Sequence, residues 1–149
     1  KEWPGIESAK NCHTPKQIAD TINQATKEEV ITFLSDYRAD KGFLPFIAIH
    51  EFEALLFSNP EILARNLNIN TDEVEKVLTE YGEPENINNG PNTAPSKRLD
   101  NWSHEKRFNK TVKGISIAEQ IGIVKIREQC PIFNEWLNMI EKLKLTQLS

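Results

Sequence analysis

Long apolar runs and paired cysteines are both missing from this sequence. Its 149 residues include two cysteines, Cys12 and Cys130, whose wide separation fits no CxxC metal motif. So few thiols favour free cysteines in a reducing cytosol over a disulfide, and we therefore expect a cytoplasmic protein. No run approaches the ~20 apolar residues that a membrane-spanning helix needs, so we expect no membrane partner.

An excess of positive charge is missing as well. Lys and Arg total 18 and Asp and Glu total 22, for a net charge of −4. The protein as a whole therefore does not attract nucleic acid, and any contact with phosphate must come from a local patch.

The chain also lacks a starting methionine and an apolar leader, so we expect that it begins inside a longer protein. With 38% hydrophobic residues it can bury the core of one domain.

Turn signals divide the sequence into short segments, most of them helical. Thr14-Pro15 predicts a helix start, with Thr14 as the N-cap and Pro15 at the first helical position. Residues 43–49 are short, apolar and rich in aromatic side chains, which predicts a β-strand. Residues 83–95 are irregular and rich in Asn, Pro and Gly, which fits either a solvated linker or a shaped functional loop. Helical sequence resumes at Ser96.

A histidine and two acids precede an apolar run in residues 50–57, HEFEALLF. If the preceding strand continues, Glu51 and Glu53 point to one face and could share a hard cation such as Mg²⁺. If a helix begins here instead, His50 and Glu53 lie on one face. The alternative is that neither acid has a chemical role. Both would then lie in a first helical turn, where negative side chains interact favourably with the helix dipole. The candidate catalytic residues are His50, Glu51 and Glu53, and the candidate metal ligands are Glu51 and Glu53.

A second concentration of polar residues is the segment 87–98, INNGPNTAPSKR. Ser96 is a candidate N-cap, which places Lys97 and Arg98 in the first turn of a helix. Basic residues are unfavourable there unless an anion binds, and free N–H groups together with two cations form a phosphate site. The alternative is a solvated loop whose basic residues pair with acidic neighbours. The candidate phosphate-binding residues are Ser96, Lys97, Arg98, Asn89 and Gly90.

Several segments, in a fixed order, resemble one bacterial family. They are residues 46–60 (FIAIHEFEALLFSNP), 87–99 (INNGPNTAPSKRL), 114–122 (GISIAEQIG), 126–131 (IREQCP) and 133–137 (FNEWL). By these motifs the chain resembles the C-terminal two-thirds of domain-of-unknown-function family 4276. Asn59 and Asn89 stand where Asp is usual in that family, which weakens a metal role for those two positions.

The resemblance implies an α/β fold. The expected architecture is a Toprim-like core, as in topoisomerase-primases, whose N-terminal strands are missing from this chain, followed by a mostly helical C-terminal subdomain. On this expectation residues 1–60 are the remaining part of the core, and 61–149 are the helical subdomain with the loop 83–95, in one continuous domain. The primary Mg²⁺ ligands of such cores would precede Lys1, so that Glu51 and Glu53 would be a remaining acidic element.

The function implied is that of a Mg²⁺-dependent nuclease or related phosphotransfer effector, of which this chain is a fragment that we expect to be inactive alone. Such families are often encoded beside AAA or ABC-type ATPases, which implies nucleic acid and an ATPase as partners in phage defence. The alternative is a non-catalytic regulatory module that binds these partners. A third possibility is that the acids only fix the fold. The nuclease hypothesis requires that the 50–53 and 96–98 segments share one cleft, whereas the module predicts separate segments and an exposed apolar patch on the C-terminal helices.

Overall fold

The computed structural model describes residues 2–49, 51–87, 90–104 and 106–147. Within these ranges the chain is helical and contains no β-strand. The α-helices are α1 (Ile6–Ala9), α2 (Pro15–Phe33), α3 (Ala39–Gly42), α4 (Pro60–Leu67), α5 (Thr71–Tyr81), α6 (Pro95–Trp102), α7 (Ile115–Ile121), α8 (Ile123–Gln129) and α9 (Pro131–Gln147). In the same ranges, 3₁₀ turns cover Ser35–Tyr37, Phe52–Ser58 and Pro84–Asn86, and a π-helical turn covers Lys110–Gly114.

The chain forms two compact units. The first unit is Lys1–Ile49 with Ile132–Ser149, and the second unit is His50–Pro131. Residue 60, where we predict a boundary, falls inside the second unit. Both segments that carry candidate site residues belong to the second unit, so the geometry between them is that of a single compact body.

Helix α2 of the first unit begins as the sequence predicts. The Thr14 hydroxyl accepts a hydrogen bond from the backbone N–H of Gln17 at 3.2 Å, and Oε1 of Gln17 accepts one from the Thr14 N–H, also at 3.2 Å. Pro15 occupies the first helical position. A backbone N–H at this position has no acceptor within the helix, so the lack of one in proline costs no hydrogen bond. These reciprocal bonds form a capping box and confirm the predicted start.

The predicted α/β fold is wrong. The structure is 72% helical, and the described residues contain no sheet on which a Toprim-like core could be built. Within the predicted strand 43–49, residues 43–48 run without helical structure, and no strand among the described residues pairs with them. Phe46 instead stacks on Trp136 of α9, with ring centroids 4.7 Å apart, and meets Phe133 edge-on at 6.1 Å. Strand propensity reflects a fit to a half-buried apolar surface, and here a helix supplies that surface.

The acid-bearing segment lies at the centre of the second unit. The 3₁₀ turn Phe52–Ser58 packs against α4, α6, α7 and α8, and it buries Leu56 and Phe57 completely. Burying a side chain of this size contributes about 1.5–3 kcal/mol to folding. Other large side chains of this unit are buried almost completely, among them Leu63, Val74, Ile87, Leu99 and Ile117. Position 53 is thereby carried into the interior, since it belongs to the same buried turn.

Candidate functional site

Glu51 lies at the start of helix α6, although it is distant from that helix in the sequence. The backbone N–H of Ser96 donates a hydrogen bond to Oε2 of Glu51 at 2.6 Å, and the Ser96 hydroxyl donates one to Oε1 at 2.7 Å. The helix supplies no cap of its own, because its N-cap residue is Ala94 and Pro95 takes the first helical position. Glu51 therefore caps α6, and our prediction that Ser96 is the N-cap residue is wrong.

This contact places an anion where a helix start favours one. Hydrogen bonds from N–H and O–H groups to a carboxylate are shorter and stronger than those between neutral groups. The dipole of the helix adds to the attraction. Lys97 and Arg98 follow in the first turn, as the sequence predicts. The anion that meets this positive helix start is thus the protein's own carboxylate.

The two basic residues of α6 have different surroundings. Nε of Arg98 donates a hydrogen bond to the carbonyl oxygen of Thr93 at 2.8 Å, and the guanidinium lies 5.6 Å from the ring centroid of Tyr81. These contacts hold Arg98 at the junction of loop and helix. Lys97 is exposed and makes no polar contact with another described residue. Lys97 is therefore the cation of this pair that an external phosphate can reach without breaking an existing contact.

Gly90 closes the turn that leads into α6. Its carbonyl oxygen accepts hydrogen bonds from the backbone N–H groups of Thr93 at 3.1 Å and Ala94 at 3.0 Å. The assignment of Gly90 to a phosphate site stays a prediction. Two other predicted site residues, His50 and Asn89, lie outside the described residues.

Glu53 is enclosed in the second unit, with 1% of its side chain exposed. Its Oε1 receives no well-aligned hydrogen bond within the described ranges, but the ammonium of Lys110 lies 2.5 Å away as an ion pair. Lys110 begins the π-helical turn, and 58% of its side chain is exposed. Because a buried charge is strongly unfavourable without a partner, this lysine neutralises Glu53 from the surface.

Two further carboxylates act on the same ammonium. Pairing with Glu53 raises the pKa of Lys110 above its ordinary value of 10.5, against the smaller opposing effect of burial. The negative charges of Glu51 and Asp100 act in the same upward direction. Asp100 is itself oriented by the backbone N–H of Phe108, which donates to its Oδ1 at 2.7 Å. Sequence reasoning did not identify Lys110 or Asp100 as site residues, since no local pattern links either one to Glu53.

The acids of this cluster do not form a preassembled metal centre. Among the described residues, no group of three or more His, Cys, Asp or Glu side chains is arranged to hold a metal ion. Mg²⁺, however, is commonly bound by one or two carboxylates together with water and substrate phosphates. Oε1 of Glu53 is already paired with the ammonium of Lys110, and both carboxylate oxygens of Glu51 already accept hydrogen bonds from Ser96.

A polar groove of about 290 Å³ lies beside the basic helix start, between α5 and α6. Arg98, Lys76 and the half-buried ring of Trp102 line it, with the amide side chains of Asn92 and Asn101. Acidic side chains from α5 also border the groove, so that it carries no large excess of positive charge. Its composition suits a neutral, hydrogen-bonding ring better than a bare phosphate.

Comparisons with known proteins identify a family and no characterised relative. No curated protein and no solved structure matches the chain. Within the described part of the chain, no helix is both long enough and apolar enough to cross a membrane. Residues 3–141 match the family described as a domain of unknown function (DUF4276), which covers nearly the whole chain. The chain therefore belongs to the DUF4276 family.

Proposed function

We propose that this protein takes part in divalent-metal-dependent phosphoryl transfer on nucleic acid, as a nuclease or a related effector. The observation that carries the proposal is the contact between Glu51 and Ser96. It joins the acidic segment and the basic helix start in one compact unit, although many residues separate them in the sequence. Metal-assisted chemistry at a phosphodiester needs both kinds of group in one place, carboxylates for the cation and N–H or cationic groups for the phosphate.

The acids of the site would hold the cation. Glu53 offers a buried oxygen, and Glu51 is the second carboxylate that acts on the same ammonium. A bound Mg²⁺ supplies positive charge to phosphate oxygens and lowers the pKa of its bound water. The enclosure of Glu53 keeps its charge poorly solvated, which strengthens its attraction for any cation that reaches it.

The helix start would receive the phosphate. The N–H and hydroxyl of Ser96 form a pair of donors that the Glu51 carboxylate now occupies. A phosphate oxygen is an alternative anion for the same two donors, and Lys97 stands exposed next to them. If Glu51 turns toward a cation, the donors of Ser96 become available, so that binding of metal and phosphate would support one another.

Nucleic acid is the proposed substrate class. The groove beside α6 combines a partly exposed Trp102 ring with the amides of Asn92 and Asn101. An aromatic ring stacks on bases of any sequence, and amide side chains hydrogen-bond to base edges. Arg98, which lines the groove, and Lys97, which precedes it in the chain, would contact the backbone. A net charge of −4 restricts the contact to this local surface.

A non-catalytic binding module is the second candidate function. Apolar side chains on the helices after residue 110 favour it, since more than half of each is exposed: Val112 (64%), Ile115 (52%), Ile123 (53%) and Val124 (69%). Exposed apolar side chains often mark protein interfaces where they lie together. The occupant proposed here is an AAA or ABC-type ATPase, and this partner, like a role in phage defence, rests on the family resemblance alone. In this case the bonds between Glu51 and Ser96 serve only to cap α6.

Calorimetric titration of the chain with Mn²⁺ and Mg²⁺ tests the leading proposal. We expect wild type to bind, and Glu53→Gln to weaken binding at least about tenfold, because the buried ligand loses its charge. Glu119→Gln is the matched control, since Glu119 is exposed and makes no polar contact with the described residues. Equal affinities of wild type and Glu53→Gln, or no binding at millimolar metal, would overturn the proposal and leave the binding module.

A further inference from the structure

Residues 43–48 form an extended segment of the first unit whose backbone lacks hydrogen-bonding partners. The N–H groups of Leu44, Phe46 and Ala48 have no acceptor among the described residues, and their carbonyl oxygens have no donor there. Leu44 and Phe46 are only partly exposed, so water does not surround this backbone freely. Backbone groups in such a position are normally paired, and an unpaired extended segment is an edge that another strand can join.

The pairing groups of this segment lie on one edge. In an antiparallel pair, alternate residues present both their N–H and their carbonyl group to the same neighbour. Leu44, Phe46 and Ala48 therefore share one edge, whereas Pro45 and Ile47 belong to the other. Proline has no N–H, so its edge cannot form a complete ladder. The edge of Leu44, Phe46 and Ala48 retains every donor and acceptor.

A groove of about 620 Å³ is lined by this segment. Its other walls come from the first unit as well, and they are formed by Trp3, Asn23, Thr26 and Trp136. The volume lies within the ~300–1,000 Å³ of clefts that bind ligands, and most of the lining is apolar. A strand that pairs with the segment would therefore gain apolar contacts as well as backbone hydrogen bonds.

A second groove, of about 290 Å³, continues this surface along α2. The two grooves share Trp3 and Thr26 in their walls, and the second adds Phe33. Nε1 of Trp3 donates a hydrogen bond to the Thr26 hydroxyl at 3.0 Å, which fixes the ring although Trp3 is 61% exposed. Phe33 is 85% exposed. From the area of an aromatic residue, these two expose about 200–350 Å², roughly a third of the ~800 Å² that each partner buries in a standard interface.

The chain itself contains a strand that fits this edge. A suitable partner is extended, apolar and short of hydrogen-bonding partners, and within the described ranges the segment 43–48 has these properties. In a second copy the same segment carries the same unpaired groups, so antiparallel pairing about a two-fold axis satisfies both copies at once. The segment contains no charged residue, so no like charges oppose the approach of two identical edges.

We propose that this surface joins two copies of the chain, through antiparallel pairing of residues 43–48 and through apolar contacts of Trp3 and Phe33. The pairing sets Phe46 opposite Phe46 of the second copy, and Leu44 opposite Ala48. Because the same surface is used on both copies, the assembly closes at two. The interface belongs to the first unit, whereas the candidate metal and phosphate residues belong to the second, so this inference does not depend on the proposed phosphoryl transfer.

Analytical ultracentrifugation of the chain tests this proposal. We expect twice the mass of one chain at about 1–100 µM, since standard interfaces give dissociation constants in or below the micromolar range. Phe33→Glu would place an unpaired charge in the interface and should give a monomer over the same range. Tyr37→Glu is the matched control and should remain a dimer, because Tyr37 is 79% exposed in the same unit but lines neither groove.

Ala48 tests the backbone hydrogen bonds separately from the apolar contacts. Ala48→Pro removes an N–H that has no partner within one copy, so the fold should be kept and the dimer weakened at least about tenfold. Ala48→Val keeps this N–H and should dimerise as wild type does. In hydrogen exchange followed by mass spectrometry, residues 43–48 of wild type should become protected as concentration rises. Should Ala48→Pro fail to fold, this exchange measurement decides the same point.

Three outcomes would overturn the proposal. A chain that stays monomeric at about 100 µM would leave the edge to a strand of another protein. A dimer that both Phe33→Glu and Ala48→Pro leave intact is formed by another surface. A dimer that needs Phe33 but shows no protection of residues 43–48 is an apolar contact without strand pairing. In each case the function proposed for the second unit stands, because its own test measures metal binding.

Discussion

Glu51 accepts hydrogen bonds from both the backbone N–H and the hydroxyl of Ser96, at 2.6 and 2.7 Å. The two residues belong to different segments of the second unit, and their contact closes the start of helix α6. A contact of this kind has a structural value that is independent of any chemistry. Substitution of either residue therefore measures what this contact contributes to the stability of the fold.

Removal of the Glu51 carboxylate should destabilise the protein. Glu51→Ala leaves the N–H and hydroxyl of Ser96 without their acceptor and removes the cap of α6, at a cost of about 1–2 kcal/mol. For a chain of this size we expect the melting temperature to fall by about 3–8 °C, measured by circular dichroism. Ser96→Ala, which keeps the backbone bond, should cost less. An unchanged melting temperature in Glu51→Ala would show that the cap does not contribute to stability.

Lys97 should contribute to the salt dependence of nucleic-acid binding. Loss of one phosphate contact lowers the slope of log affinity against log salt by about 0.7 for a single strand. We expect this change for Lys97→Ala in fluorescence anisotropy with a labelled single-stranded oligonucleotide, without loss of thermal stability. Lys41→Ala, an exposed lysine of the first unit, is the control and should keep the wild-type slope. A slope that Lys97→Ala leaves unaltered would argue against a phosphate contact at this residue.

The thiol of Cys130 should be protected from modification, and its burial should lower the stability of the fold at alkaline pH. Burial raises the pKa of its thiol to about 12, although the nearby Ser58 hydroxyl, 3.3 Å away, opposes this shift. Below pH 9 the thiol is neutral in both the folded and the unfolded chain. Above pH 9 the unfolded thiol ionises first, so stability should fall by about 1 kcal/mol per pH unit.

Denaturant unfolding of wild type and Cys130→Ala at pH 8 and pH 10 isolates this effect, because other groups titrate equally in both. The stability difference between the two proteins should narrow as pH rises. A constant difference would mean that the thiol does not remain neutral in the fold. In native protein at pH 8, iodoacetamide should label the partly exposed Cys12 and leave Cys130 unmodified, as mass spectrometry would show.

Local signals in the sequence were sufficient wherever the partner groups lie within a few residues. The capping box at Thr14 joins residues one turn apart, and the first-turn position of Lys97 and Arg98 depends on Pro95 beside them. Such contacts need no knowledge of the fold, because a helix brings residues three and four apart onto one side.

Residues 43–49 show where local signals fail. Their composition fits a strand, but a strand also needs a neighbour, and the described residues supply none. Phe46 packs instead by stacking on Trp136, ninety positions further along the chain. The sequence shows that this segment is apolar. The surface that buries it comes from distant residues, so the neighbouring sequence does not reveal it. The prediction of a strand at residues 43–49 is wrong for this reason.

The sequence by itself determined where helix α2 begins, which segments are polar enough to carry a site, and the DUF4276 family to which the chain belongs. Only the tertiary structure decided that Glu51 caps α6 through Ser96 and that Glu53 is buried against Lys110. Hydrogen bonds within a helical turn follow from the spacing of neighbouring residues. A contact between distant segments depends instead on how the whole core packs, and a carboxylate acquires its partner only when that packing encloses it.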